Sequence, residues 1–191
     1  MIKQLWILAG GNGSGKTTFY NTRLKSKGII FVNADLIAKE QFPEATLEAS
    51  KKAQAEAQKL CHQYLENGVS FCFETVFSHE SKLELLQKAK TLGFEINLVY
   101  IHLDDEILNV ARVLQRVKDG GHSVPEDKIK SRIPKTHQNM KKAITIVDNA
   151  LILDNSDPDD PFKVLCKKAK NQITFPPHIK IPNWVTYLLQ D

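Results

Sequence analysis

Cysteine is scarce in this 191-residue chain: Cys61, Cys72 and Cys166 are odd in number, far apart and never in CxxC spacing. That excludes a disulfide scaffold or a zinc ribbon and suits a reducing compartment. Long apolar runs are also missing. None approaches the roughly 18 residues needed to cross a bilayer, and the apolar start at residues 2–9 runs straight into glycines rather than a cleavage site. The expectation is a soluble, cytoplasmic protein without membrane contact. Charge is nearly balanced. A total of 26 basic against 22 acidic residues leaves +4, too little to argue for nucleic acid without a concentrated basic stripe. Repeats and low-complexity tracts are absent, and neither His79 nor His122 has a second ligand at metal spacing.

What is present suffices for a packed core: 42% hydrophobic and 25% charged residues over one domain's length. Residues 2–9, 28–32, 69–73, 96–103 and 150–153 are short apolar runs rich in β-branched or aromatic residues. Continuous rather than alternating hydrophobicity marks strands buried on both faces. Helical segments lie between them. One spans about 46–67, with Ala53, Ala57, Leu60 and Tyr64 at three- and four-residue steps before Asn67-Gly68. Another starts at Ser81, where Ser81 and Glu84 can form a capping box, and runs to Leu92-Gly93. Alternation of this kind predicts an α/β fold, three layers about a mostly parallel sheet. The core should occupy residues 1–157, with a lid near 112–132. Residues 158–191 should form a helical, proline-containing extension packed on that core, opening with a basic helix near 162–170 and ending in a short helix.

Gly10, Gly11, Asn12, Gly13, Ser14, Gly15, Lys16 and Thr17 match GxxxxGK[ST] in full. A strand must end there, backbone N–H groups must converge on phosphate oxygens, and a helix must begin with its positive end aimed at them. Lys16 sets a charge against the β- and γ-phosphates, the Thr17 hydroxyl can ligate magnesium, and Thr18 opens the amphipathic segment that follows. The motif predicts nucleoside-triphosphate binding in a P-loop fold.

The remaining residues discriminate among uses of that loop. No NKxD motif supports a GTPase switch and no LSGGQ-like segment supports a transporter ATPase. Asp104 and Asp105 resemble the carboxylate pair of a motor ATPase, but acids ahead of a helical run are explained by capping and the helix dipole. A small kinase needs a base for the acceptor hydroxyl, acceptor-binding groups at neighbouring strand ends, and arginines that close over the phosphates. Asp35, at the end of the second strand, is the candidate base, with a helix N-cap for residues 36–40 as its alternative. Glu74 and Thr75 end the third strand. Glu74 suits acceptor hydroxyls or a magnesium-bound water, or else an ion pair with a lysine. Only four of the 26 basic residues are arginines, and three of them, Arg112, Arg116 and Arg132, fall between 112 and 132. Arginine's rigid fork suits bidentate phosphate contact. Two helices joined by Gly120-Gly121-His122-Ser123 would carry them as a lid, surface ion pairing being the plainer use. Asn155, after the last core strand, is the candidate for contact with the base, an ordinary Asp-Asn-Ser turn being its alternative.

The glycine loop, residues 31–35, Phe73-Glu74-Thr75, and above all residues 112–125 followed by Arg132, together resemble the short stand-alone branch of the zeta toxin family over about residues 2–156. The resemblance implies a P-loop kinase using ATP or GTP with Mg²⁺. It implies Asp35 as base, Glu74 and Thr75 in the acceptor site, and Arg116 and Arg132 as phosphate-stabilising groups. It further implies a small hydroxyl acceptor such as the nucleotide-sugar UDP-N-acetylglucosamine, and an inhibitory antitoxin-like protein as partner. Toxicity is not implied, and this compact chain leaves the acceptor open. The alternative is a nucleotide-dependent binding or ATPase module acting through a protein partner.

Overall fold

The computed structural model describes residues 2–42, 44, 46–118 and 124–190. Strands β1 (Gln4–Ala9), β2 (Ile30–Val32), β3 (Phe71–Thr75), β4 (Glu95–His102) and β5 (Asn149–Asp154) are mutually parallel; β6 (Lys163–Ala169) and β7 (Gln172–Thr174) follow antiparallel. The order across the sheet is β2-β3-β1-β4-β5-β6-β7. The helices are α1 (Lys16–Phe19), α2 (Ala34–Gln41), α3 (Leu47–Glu66), α4 (Ser81–Thr91), α5 (Glu106–Lys118), α6 (Glu126–Ile146) and α7 (Asn183–Leu189).

Burial on both faces explains the unbroken apolar strands. Leu5, Ile7 and Ala9 of β1 join a core with Ala53, Ala57, Cys61, Leu86, Met140 and Val185 from α3, α4, α6 and α7. Leu8 points to the opposite side, among Phe19, Tyr20, Leu24, Val99 and Ile101. Three layers result, as the alternation predicts. Helix α3 follows its expected bounds closely: the Thr46 hydroxyl accepts from Ala49 N at 3.0 Å, and Asn67 ends the helix.

Three local expectations are corrected. The basic helix at 162–170 is instead strand β6, which covers the edge of β5 and buries Leu165 and Cys166. An edge carries a row of unpaired backbone groups, and pairing them outweighs a weak helical preference. The capping box at Ser81 is not formed. Ser81 is already the first helical residue, and its N–H donates to His79 Nδ1 at 3.2 Å. The segment after the glycine loop is not one regular helix either; α1 passes into a π-helical turn at Tyr20–Leu24 and a 3₁₀ turn at Lys25–Lys27. Among the described residues, no helix is long and apolar enough to cross a membrane.

Candidate active site

In a parallel sheet the carboxyl ends of all strands share one edge. Here that edge collects the glycine loop after β1, Asp35 after β2, Glu74 and Thr75 at the end of β3, and Asn155 after β5. Register puts Glu74 beside Leu8 and Thr75 beside Ala9, one step from the loop.

The loop is shaped by close backbone approach. A Cβ on Gly10 would fall 2.2 Å from the Ile101 carbonyl oxygen, and one on Gly15, at φ 96°, would fall 2.6 Å from Asn155 Nδ2. Ser14 is fully buried, and its hydroxyl has no hydrogen-bond partner among the described residues. An orphaned hydroxyl in the loop that leads into α1 suits a phosphate oxygen. Asn155 is 7% exposed; its amide donates to the Ser14 carbonyl at 2.9 Å and accepts from Phe162 N at 3.2 Å. Its observed work is to brace the loop, with both ends of the amide engaged.

Lys16 is 6% exposed and its ammonium donates to the Gly11 carbonyl at 2.9 Å. Burial, the largest influence, pulls its pKa below the ordinary lysine value; Glu74 and Asp35 oppose that pull, while Arg116 and Arg132 add to it. All four of those side chains line the same cavity as Lys16. Glu74 Oε1 lies 3.9 Å from Lys16 Nζ, and Glu74 Oε2 accepts from both the Thr17 hydroxyl and Asn33 Nδ2 at 2.8 Å. Because Thr17 donates its hydrogen to Glu74, the lone pairs of its oxygen stay available to a cation. A hydroxyl backed by a carboxylate beside a phosphate loop suits magnesium.

Asp35 is not the cap of α2. Asn33 is, its side chain accepting from Asp35 N at 2.7 Å and Leu36 N at 3.1 Å. The Asp35 carboxylate is thereby free of local duty, 55% exposed and 3.8 Å from the Arg116 guanidinium. Asp35, Lys16, Glu74, Thr75, Arg116 and Arg132 all line one cavity of about 820 Å³. Thr75 also accepts from Phe77 N at 3.1 Å, holding the turn in which buried Phe77 adopts φ 64°.

The arginine-bearing helices are pinned to this cavity. Asn109 of α5 donates to the Asn12 carbonyl at 2.7 Å. On α6, Thr136 donates to the Val76 carbonyl at 3.0 Å, Asn139 to that of Phe77 at 3.1 Å, and Arg132 to Asn12 Oδ1 at 3.3 Å. Val110, Val113 and Ile129 pack the two helices together. Arg112 stands beside the loop, its Cβ 3.2 Å from where a Gly13 Cβ would be. The expected hinge at Gly120-Gly121-His122 and the Ser123 cap lie outside the described residues. Asp105 Oδ1 accepts from Ile107 N at 2.8 Å, the capping use expected of that acid, and no group of three or more metal-ligating side chains occurs among the described residues.

Sequence reasoning missed Asn33, Asn109 and Asn139. Each is a buried asparagine on an otherwise apolar or capping face, and a buried amide needs fixed partners. An asparagine beside Val110 at a core-facing helix position was the available clue.

Residues 5–138 match the family model described as AAA domain. An uncharacterized protein of Haemophilus influenzae (strain ATCC 51907 / DSM 11121 / KW20 / Rd) is 32% identical over 137 residues, 68% of this chain and 97% of that protein. Among solved structures, AvrRxo1-ORF1:-ORF2 with ATP superposes with a TM-score of 0.70 at 17% identity, covering 95% of this chain and 66% of that one. The chain thus spans just under two thirds of the AvrRxo1 chain. A structure from the PezAT chromosomal toxin-antitoxin system of Streptococcus pneumoniae gives 0.65 at 16% identity, covering 87% and 72%. At these identities the solved structures share the α/β P-loop fold.

Proposed function

This chain belongs to the AAA domain family, and from that premise we propose that it is an ATP-dependent small-molecule kinase transferring the γ-phosphoryl group to an acceptor hydroxyl. The observation that carries the reading is the shared cavity: a carboxylate without a structural duty, Asp35, faces the P-loop lysine and two lid arginines. The cavity of about 820 Å³, a volume within the usual range for small-molecule sites, leaves room beside that carboxylate for an acceptor larger than water.

The chemistry follows from positions. The acceptor oxygen attacks the γ-phosphorus as its proton passes to Asp35. The bond to the β,γ-bridging oxygen breaks, and ADP departs with that electron pair. Lys16, Arg116 and Arg132 neutralise charge on the transferring group, and packing of the lid helices excludes water. Magnesium, held by the Thr17 hydroxyl and through water by Glu74, would supply further positive charge to the phosphate oxygens. Glu74 is thus read as metal-side, with Thr75 on the acceptor side and Gly10 to Thr18 cradling the nucleotide. Arg112 flanks that cradle. A nucleotide-sugar such as UDP-N-acetylglucosamine is the acceptor favoured by the zeta toxin resemblance, and GTP remains the alternative donor. Because the AvrRxo1 structure holds ORF1 together with ORF2 and the PezAT structure comes from a toxin-antitoxin system, the reading includes an inhibitory antitoxin-like protein, testable by co-purification from the native host.

Incubation with γ-labelled ATP, magnesium and a metabolite extract tests the assignment. A labelled small molecule in which the phosphate ester is on a former hydroxyl is expected. Release of labelled phosphate alone would instead identify an ATPase acting through a protein partner.

A further inference from the structure

Burial draws the pKa of three lysines below the ordinary value: Lys16, Lys82 and Lys168. Two of them are held as ammonium ions by oxygen atoms. Lys16 donates to the Gly11 carbonyl at 2.9 Å and lies 3.9 Å from Glu74, and Lys168 donates to the Val147 carbonyl. Lys82 differs. In the first turn of α4, its ammonium has no hydrogen bond and no ion pair among the described residues. The acid nearest in sequence, Glu80, is already paired with Lys142 at 2.9 Å.

The Lys82 side chain is half-buried and lines the cavity of about 820 Å³. A charged ammonium there gives up water and gains only the Phe73 ring, whose centroid is 5.2 Å from Nζ. That aromatic face offsets part of the loss and no more. The neutral amine escapes the cost, and its lone pair is then free to attack. Lys128 lines the same cavity, also without an ion pair among the described residues, but it is exposed and keeps its hydration. The two lysines therefore separate the effect of burial from that of access alone.

We propose that Lys82 is a covalent modification site, whose ε-amine takes an acyl group from a small acyl phosphate or acyl thioester entering the cavity. The ammonium first releases a proton to water. The nitrogen lone pair then attacks the acyl carbon, and the bond to the phosphate oxygen or thioester sulfur breaks. Phosphate or thiolate leaves with that electron pair, the nitrogen gives a second proton to water, and a neutral amide remains. Acylation removes a positive charge from the cavity wall and adds bulk to it, so it narrows the space for an acceptor. That consequence rests on the kinase reading; the modification site itself does not.

The test is incubation of the full chain near pH 7 with acetyl phosphate in one arm and acetyl coenzyme A in the other. Peptide mass spectrometry follows each lysine over time. At this pH an ordinary lysine presents its free amine in only about one molecule in 10³ to 10⁴, so a lysine disfavoured as a cation should be acylated first. In at least one arm the initial rate at Lys82 should exceed that at Lys128 by about threefold or more, and the faster arm identifies the donor. Transfer from γ-labelled ATP should fall in step with Lys82 occupancy. Lys82→Arg, which offers no comparable nucleophile, should keep its own level of transfer through the same treatment. A smaller ratio in both arms, no acylation at Lys82, transfer that persists once Lys82 is fully acylated, or an equal loss in Lys82→Arg each overturns the inference. If Lys82 is acylated first but the untreated chain transfers no label, the kinase reading fails and the modification site stands.

Discussion

Replacing Asp35 with alanine separates a catalytic carboxylate from a structural one. Among the described residues the carboxylate's one ion-pair contact is Arg116 at 3.8 Å, and its side chain is 55% exposed. Exposed pairs of this kind contribute at most about 1 kcal/mol. The cap of α2 is supplied by Asn33, whose bonds to Asp35 N and Leu36 N involve no Asp35 side-chain atom. Folding stability should therefore fall by less than about 1 kcal/mol. A positioned general base contributes about 10²–10⁴ in rate, or about 3–6 kcal/mol of barrier at about 1.4 kcal/mol per decade. Label transfer from γ-labelled ATP should drop by that factor, while ATP affinity and the thermal midpoint stay close to wild type. Unchanged transfer would remove Asp35 from the mechanism. A large loss of stability in step with activity would refute the claim that this side chain has no structural duty.

Three other perturbations test the surrounding architecture. Asn155→Ala strands the Ser14 carbonyl and the Phe162 amide; at about 1–3 kcal/mol for each unsatisfied buried group, it should lower the urea midpoint and weaken ATP binding together. Glu74→Gln removes the charge behind the Thr17 hydroxyl and should raise the magnesium concentration needed for half-maximal turnover about tenfold; an unchanged magnesium titration would contradict the metal-side placement. The buried His102, against His137 and Trp184, has its pKa pushed down to about 3 by burial first and His137 second. Its neutral form is the folded one, so the unfolded chain takes up a proton first. Stability from this group is complete above the unfolded pKa near 6.5 and is lost as pH falls towards about 3, at up to about 1.4 kcal/mol per unit. Urea midpoints should drop between about pH 7.5 and pH 5, and His102→Gln should flatten that dependence.

Much of the fold was legible because its determinants are local. A strand buried on both faces must be apolar throughout, and residues 4–9, 95–102 and 149–154 are largely so. The P-loop was legible for a stronger reason: only glycines tolerate a loop whose Cβ positions lie 2.2 and 2.6 Å from other atoms. Strand β6 was not legible. Its lysine-rich sequence holds only a three-residue apolar run, and what makes it a strand is the open edge of β5, which no local pattern displays. The same holds for the capping groups. His79 and Asn33, rather than Ser81 and Asp35, take the helix-terminal N–H groups, and the choice depends on where each loop enters its helix.

The residue types of the chemistry, a phosphate loop, carboxylates at strand ends and a cluster of arginines, were therefore determined by the amino-acid order alone. Their convergence was not. The strand order β2-β3-β1-β4-β5 sets Asp35 and Glu74 on one flank of the loop, and α6, tied down at Val76 and Phe77, carries Arg132 over to Asn12. These contacts join residues 60 to 120 positions apart, so they exist only once the sheet is assembled and buried polar groups must find partners across it.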